Sequence, residues 1–432
     1  MRHRTASTSV IGALHCGAFG AARANPNDAR LRARRHGALN VAAPHTIGFL
    51  WAQLLPYHMD RVRSATSQAG NCARIVAIGV ASTSIDYGFL GDAGAGAATR
   101  DTIVLCPGRA HETIGQLRLF ALLVRAILRE RIGTLYIAGY EVPAFFFAAL
   151  MMRVLGRRPV LMLDSKFDDK PRRLPLELLK TILLLPYRAA WVSGMRTVQY
   201  LHLLGFRRRR IVTGCDIVDG ERIVRLGGDA TAVAWEARPF VFVGRHVPKK
   251  NIAFLLDAYA RYRAQAGVAA RRLRLCGSGP LQLMLRDKAV TLGIADHVDF
   301  LGVMPPERVM PELARGLCLL LPSVEEQWGL VVNEAVLLGI PVVASRQVGA
   351  VDSLVSSWRN GFVLDERDVE SWAQAMLALG FDRVLWERLS RGASRFALHA
   401  DTSGIWKALV ATDPALSGPA LSRSAPVRSE LR

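Results

Sequence analysis

Short, uninterrupted apolar runs alternate with longer amphipathic stretches from about Thr46 onward. Ile47–Leu50, Arg74–Ile78, Thr102–Leu105, Thr134–Ala138 and Pro159–Leu163 are of strand length and apolar nearly throughout, which predicts buried parallel strands. Helix-length segments separate them, such as Thr113–Glu130 with its apolar residues three and four apart. Around Thr213–Trp235 the pattern lapses into Gly, Asp and Val, and then a second series begins. Strands are predicted at Pro239–Val243, Arg272–Cys276, Val298–Leu301, Leu317–Leu321 and Pro341–Ser345, and helices at Asn251–Gln265, Leu281–Leu292 and Gly329–Leu338. In the first of these helices Ile252, Leu255, Leu256 and Tyr259 share one face. Helices at Val369–Leu379 and from Val384 to about Val410 close the series. Two rounds of strand–helix alternation predict an α/β protein of two doubly wound, Rossmann-like domains.

The length fits that division, since 432 residues exceed one ordinary core. The expected organisation is a basic disordered tail over 1–44, an N-terminal domain over 45–215 and a linker over 216–238. A C-terminal domain over 239–383, a last helix over 384–412 and a Pro/Ser tail over 413–432 complete it. Val10–Ala21, lying before an Ala-Arg-Ala, leaves a signal peptide as the alternative reading of the first segment. No stretch reaches the roughly 18 apolar residues of a membrane span; Val142–Met152 and Ile182–Leu185 are short and bounded by charge. The six cysteines form no C-x-x-C pair, which suggests reduced core thiols and a cytoplasmic protein.

Charge changes the picture more than composition does. The net +20 is concentrated toward the N-terminus: 23 basic against 11 acidic residues over 45–215, and 23 against 22 over 216–412. A basic half facing a neutral half points to an anionic partner. The basic residues are not interleaved with a stacking aromatic platform, which argues against nucleic acid. They do lie beside apolar stretches: Arg172 and Arg173 precede Leu174–Pro186, and Arg207–Arg210 form an unbroken run. An anionic membrane surface, at its inner face, is the expected partner.

Candidate chemistry is densest between Ser323 and Ser345. Glu326 and Glu334 lie eight positions apart. A helix starting near Trp328 puts Glu326 just before its N-terminus and Glu334 about two turns inside. The free amides of Gln327, Trp328, Gly329 and Leu330 then make an anion site reinforced by the helix dipole. A diphosphate suits those amides, with Glu326 accepting from sugar hydroxyls and Glu334 from ribose hydroxyls. Upstream, Val243-Gly-Arg245-His-Val-Pro-Lys249-Lys250-Asn251 follows a strand, and a guanidinium and an ammonium there suit phosphate oxygens. Gly277-Ser-Gly279-Pro280 makes another tight strand–helix turn.

The segment resembles the E-x(7)-E signature of the family-4 (group 1) retaining glycosyltransferases, close to P-S-x-x-E-x-x-G-L-x-x-x-E-A-x-x-x-G-x-P-V-V. Pro322, Ser323, Glu326, Gly329, Leu330, Glu334, Ala335, Gly339, Pro341, Val342 and Val343 match it. Arg245 and Lys250 match that family's G-R-x-x-x-x-K turn, Gly277 and Gly279 its G-x-G-P turn, and Val303 and Met304 its nucleobase-reading loop. The resemblance is firm over about Pro239–Ala378 and looser before it. It implies the GT-B fold, a last helix crossing back to the N-terminal domain, and transfer from a nucleotide-diphosphate sugar with retention of anomeric configuration. Arg245, Lys250 and Glu326 would be catalytic, and the acceptor would be a saccharide or lipid-linked hydroxyl in polysaccharide or glycolipid assembly.

The N-terminal half departs from the pattern. The strand end that often carries a catalytic histidine holds Asp164 or Ser165, and the glycine-rich first loop is replaced by Trp51-Ala-Gln-Leu-Leu-Pro56-Tyr57-His58. His58 is a candidate substrate-binding residue, and the charged cluster 164–173 either lines the cleft or forms a solvated loop. No metal-ligand cluster or D-x-D pair stands in the donor half, so no metal and no cofactor are expected. A dinucleotide-dependent oxidoreductase would need a G-x-G-x-x-G that neither domain carries. The remaining rival is a basic nucleic-acid- or membrane-surface-binding protein on the same scaffold without transferase activity.

Overall fold

The computed structural model describes residues 44–83, 101–229 and 233–417. Expectations for residues 1–43 and 418–432 lie outside them. From His45 on, the chain forms one compact unit containing two parallel sheets.

The first sheet is made of β1 (His45–Gln53), β2 (Ala73–Thr83), β3 (Thr102–Ala110), β4 (Thr134–Ala138), β5 (Arg158–Leu163), β6 (Ala189–Val192) and β7 (Ile211–Thr213), in the order β3-β2-β1-β4-β5-β6-β7. The second has β8 (Phe240–Val243), β9 (Leu273–Cys276), β10 (Val298–Gly302), β11 (Cys318–Leu321), β12 (Val342–Ser345) and β13 (Gly361–Leu364), in the order β10-β9-β8-β11-β12-β13. Each pairing is parallel, as in β1 on β4 and β8 on β11. Helices cover both faces, so the central strands are apolar on both sides: β11 is fully buried from Cys318 to Leu321. In both sheets the strand order reverses once, between β1 and β4 and between β8 and β11. Such reversal opens a crevice at the carboxyl ends of the strands, and the candidate residues lie at those ends.

Every predicted strand is present to within a few residues. The structure corrects four expectations elsewhere. The segment expected as linker holds the helix Gly220–Gly227, started by the Asp219 carboxylate accepting from the Arg222 amide at 2.9 Å. The helix expected from Val384 to about Val410 is three pieces, Arg383–Ser394, Ala397–Ala400 and Ile405–Thr412, because the chain turns there from one domain to the other. Only the last piece crosses back, burying Ile405 and Leu409 against Ile47, Phe49 and Trp191. The ordered chain also runs past 412. Asp413 is buried and accepts from Thr134 at 2.5 Å and from the His45 ring at 2.8 Å, and Leu416 is buried beyond it. Of the cysteines, Cys106, Cys215, Cys276 and Cys318 are core thiols, whereas Cys72 is exposed.

Candidate functional site

The turns after β8, β9 and β10 meet at one end of the second sheet. Backbone bonds lock them together: the Gly244 amide donates to Cys276 at 2.9 Å, His246 to Ser278 at 2.8 Å, and Gly277 to Gly302 at 2.8 Å. Gly277 has φ +131, and a Cβ there would stand 2.0 Å from the Gly244 carbonyl oxygen, so no other residue lets these turns approach. Between them opens a 620 Å³ cavity walled by Arg245, Gly277, Gly279, Val303 and Met304. Tyr57 of the N-terminal domain lines it too. Its dimensions and apolar walls suit a planar ligand.

Beside that cavity the loop after β11 is fastened at both ends. The Lys249 carbonyl accepts from the Val324 amide at 2.9 Å, and Ser345 Oγ donates to the Ser323 carbonyl at 2.5 Å. Glu326 then pairs like a strand residue with Val348, and the Gly349 amide donates to the Glu326 carbonyl at 3.1 Å. A Cβ on Gly349 would lie 1.7 Å from the Gln327 carbonyl oxygen, so glycine alone permits this close approach. The result brings the Lys250 ammonium into an ion pair with Glu326, whose Oε2 also accepts from Ser323 Oγ at 3.1 Å.

The helix after this loop is Leu330–Leu337, later than expected, because Gly329 takes the left-handed conformation at φ +97 and caps it. Glu326 is therefore a loop residue set off from the helix start. The Trp328 indole is buried and donates to Asn333 Oδ1 at 2.9 Å. Its side chain is a packing element, and only its main chain is available to a ligand. Asn333 in turn donates to the Asp216 and Ala400 carbonyls at 2.9 and 3.1 Å, joining the two domains at the floor of the cleft. Glu334 sits on this helix near Arg222 and Asp60. Burial pushes its carboxyl up to about 7, with Arg222 pulling down and Asp60 adding to the rise.

The two domains face each other across a further 440 Å³ cavity. Glu326, Gln327, Trp328, Gly329 and Leu330 line one side. The other is lined by His58, Arg61, Asp164, Ser165 and Asp216, at the ends of β5 and β7 and on the helix Pro56–Ala69. His58 stacks on Trp51 with ring centroids 4.4 Å apart, and burial followed by the Arg61 charge holds its imidazole well below the usual value, so it is neutral. Burial and the Asp216 carboxylate push the Asp164 carboxyl up. Arg61 donates to Asp216 at 2.9 Å and to the Ile217 carbonyl at 3.1 Å.

Of the charged cluster 164–173, only Asp164 and Ser165 line this cavity. Lys166 is buried between Asp168 at 3.2 Å and Asp169 at 3.1 Å, and Arg172 packs over the Tyr200 ring. The structure thus sets Arg245, Val303 and Met304 on the first cavity and Glu326 and Gln327–Leu330 on the second, with Lys250 joined to Glu326 and His58 across the second cavity. Tyr57, Arg61 and Asp216 were not singled out from the sequence. Arg61 and Asp216 are 155 positions apart, and no local pattern announces their pairing. Among the described residues, no group of three or more His, Cys, Asp or Glu side chains is placed to hold a metal ion.

Comparison with known proteins bears on the second domain most directly. The family model "Glycosyl transferases group 1" matches residues 234–395. The D-inositol 3-phosphate glycosyltransferase of Nocardia farcinica is 34% identical over 215 residues, 47% of this chain and 46% of that protein. The match thus spans less than half the length of that relative. Among solved structures, Anabaena Alr3699/HepE in complex with UDP superposes with a TM-score of 0.65 at 17% identity, covering 85% of this chain and 99% of the other. Sucrose-phosphate synthase from Thermosynechococcus elongatus gives 0.64 at 15% identity, covering 85% and 97%. Two facing parallel Rossmann-like sheets and these superpositions give the chain the GT-B fold, and its second domain, which carries Arg245, Lys250 and both glutamates, is the part that matches the group 1 glycosyl transferases.

Proposed function

We propose that this protein moves a sugar from a nucleoside-diphosphate sugar to an acceptor hydroxyl, with retention at the anomeric carbon and without a metal. The observation that carries the reading is that Tyr57 lines both the 620 Å³ cavity, walled by Arg245, and the 440 Å³ cavity lined by Glu326, the partner of Lys250. The nucleobase occupies the cavity against Val303 and Met304. Glu334 takes the ribose hydroxyls, and the diphosphate lies between Arg245, Lys250 and the amides of Gln327–Leu330. Glu326 accepts from hydroxyls of the sugar. Gly277 and Gly279 act by allowing the turns to close around the base. The Nocardia relative's name supports a glycosyl acceptor bearing hydroxyls, and the UDP held by the Anabaena protein supports a nucleotide donor on this fold.

In the transfer the bond from the anomeric carbon to the donor phosphate oxygen breaks, and its electron pair stays on that oxygen. The acceptor hydroxyl bonds to the same face, and its proton passes to the departing phosphate. Lys250, which Glu326 holds in place, exchanges that partner for the phosphate, and Arg245 grips it bidentately. His58, neutral and buried, offers hydrogen bonding rather than charge on the opposite wall, together with Asp164. The acceptor is a saccharide or a lipid-linked saccharide, as in polysaccharide or glycolipid assembly.

Donor turnover by purified Arg245→Ala and Lys250→Ala variants tests this. Each is expected to lose about 10²–10³-fold in kcat, the effect of removing one preorganised donor to a developing anion. Full turnover in the double variant would overturn the assignment.

A further inference from the structure

The helix Leu174–Leu184 is turned inside out. Its two charged residues face the protein: Lys180 Nζ donates to Glu177 at 2.7 Å and to the Tyr200 hydroxyl at 2.9 Å, and that hydroxyl donates to Glu177 at 2.7 Å. Its aliphatic residues face outward. Leu174, Leu178, Ile182 and the capping Leu185 follow at i, i+4, i+8 and i+11, one stripe along the helix, and are 54–73% exposed. Leu184 alone in this helix is buried. Scattered exposed leucines are ordinary on a protein surface, but a continuous stripe from which the charges have been withdrawn is the reverse of a normal surface helix.

A cluster of arginines adjoins the stripe. A 140 Å³ pocket lies between Thr181, Leu184 and Leu185 on one side and Phe206, Arg207 and Arg210 on the other. Arg207–Arg210 are all exposed, and no ion pair among the described residues involves them. Arg188 and Arg210 also stand near enough to Arg153 to repel its charge. Aliphatic stripe and guanidinium cluster therefore share one face of the N-terminal domain, the domain with 23 basic against 11 acidic residues. No helix in the described residues is long and apolar enough to cross a membrane, so the stripe has the form of a surface-lying element.

We propose that this face docks on an anionic lipid bilayer, with the leucine stripe entering the headgroup–acyl boundary and Arg207 and Arg210 pairing with lipid phosphates. Charge complementarity selects the occupant: apolar side chains flanked by arginines without acidic partners match an interface that is apolar inside and anionic outside. Lys180 of this helix and Glu141 of the cleft wall both stand close enough to act on the Tyr140 hydroxyl. A bilayer on this face would thus lie beside the mouth of the cleft. On the transferase reading above, that makes the acceptor lipid-linked, although the docking itself does not depend on that reading.

Flotation of the full chain with vesicles of phosphatidylcholine, with and without phosphatidylglycerol, at low and high salt, tests the proposal. Binding is expected on the anionic vesicles at low salt, falling about tenfold in high salt or without the anionic lipid. The triple variant Leu178→Gln, Ile182→Gln, Leu185→Gln and the double variant Arg207→Gln, Arg210→Gln are each expected to lose about tenfold, the scale of a few engaged groups at the surface. All five side chains are exposed, so both variants should keep the wild-type melting temperature. No binding to anionic vesicles, or a leucine variant that floats like wild type, would overturn it. So would a self-association lost in the leucine variant with no vesicle binding beside it. Nucleotide binding read on the same samples separates the two ideas, since loss of docking leaves donor binding intact.

Discussion

Glu334 shows how far one side chain's environment departs from its sequence. An ordinary glutamate is fully ionised at neutral pH, but burial brings this one to about 7 from 4.5. The sign follows from linkage. A carboxyl raised in the folded state favours folding when protonated, and that contribution is lost as pH rises through 7. On the proposed reading a ribose hydroxyl donates to Glu334, and the ionised carboxylate is the stronger acceptor, so nucleotide binding favours loss of the proton. Affinity for the nucleoside diphosphate of whichever donor binds is therefore expected to climb between pH 6 and pH 8, and Glu334→Gln is expected to remove the part of that climb due to this residue. Calorimetry at three pH values on both proteins checks this, because the titration of the nucleotide itself is common to the two. Parallel pH profiles would remove Glu334 from the ribose. The glutamate's place in a contiguous motif was legible, whereas its proton was not, since it is set by burial in the tertiary fold, with Arg222 and Asp60 acting from other elements. The same holds for Asp164, whose rise comes first from burial and then from Asp216 far along the chain.

Among the elements, β6 and β7 went unrecognised because Ala189–Val192 and Ile211–Thr213 directly follow arginines, with two alanines in the first and only three residues in the second. The C-terminal helices misled in the opposite way. Their helical periodicity persists through 384–412, but the chain breaks at Asp401, whose carboxylate accepts from the Gly220 and Ser403 amides at 2.8 and 3.1 Å while the chain passes between domains. The last piece is then fixed by contacts no local pattern encodes: Tyr136 to Thr412 at 2.5 Å, and Asp413 to Thr134 and His45. Burial opposes charge on Asp413, yet the hydrogen bonds from His45 and Thr134 prevail and hold its carboxyl below the usual range. A depressed carboxyl stabilises the fold above its unfolded pKa, and that contribution disappears as pH falls through the lower folded value. Asp413→Ala is expected to cost about 1–3 kcal/mol at pH 7 and to flatten the fall in stability below pH 4. Urea unfolding across that range measures both, and an unchanged midpoint would show that the C-terminal clasp carries no weight.

Over the whole molecule, the two halves divide the work by charge and by how readily they could be read. The second domain holds the contiguous motifs, and its strands, turns and most of its candidate site were legible because the proposed diphosphate site is made of local strand–helix turns. The first domain contributes to the cleft through single residues scattered over its strand ends, among them His58, Asp164 and Asp216, and no spacing rule links them. Arg196 spans the two, meeting Asp352 at 2.5 Å and the Arg346 carbonyl at 2.7 Å, so the domains have a polar fastening across the cleft. What the sequence foretold as an uneven charge becomes, in three dimensions, a neutral donor-side domain and a basic partner domain with an arginine cluster on its surface.

The central claim is that the second domain binds a nucleoside-diphosphate sugar through Arg245 and Lys250. The most direct measurement is the melting temperature of the full chain against a panel of UDP-, GDP- and ADP-sugars. A donor present at about 100 times its Kd adds about 2.7 kcal/mol by mass action, a shift of roughly 5–10 °C for domains of this size. The account predicts such a shift with at least one nucleotide sugar and its loss in the Arg245→Ala, Lys250→Ala double variant. No shift with any member of the panel, or an equal shift in the double variant, would contradict it.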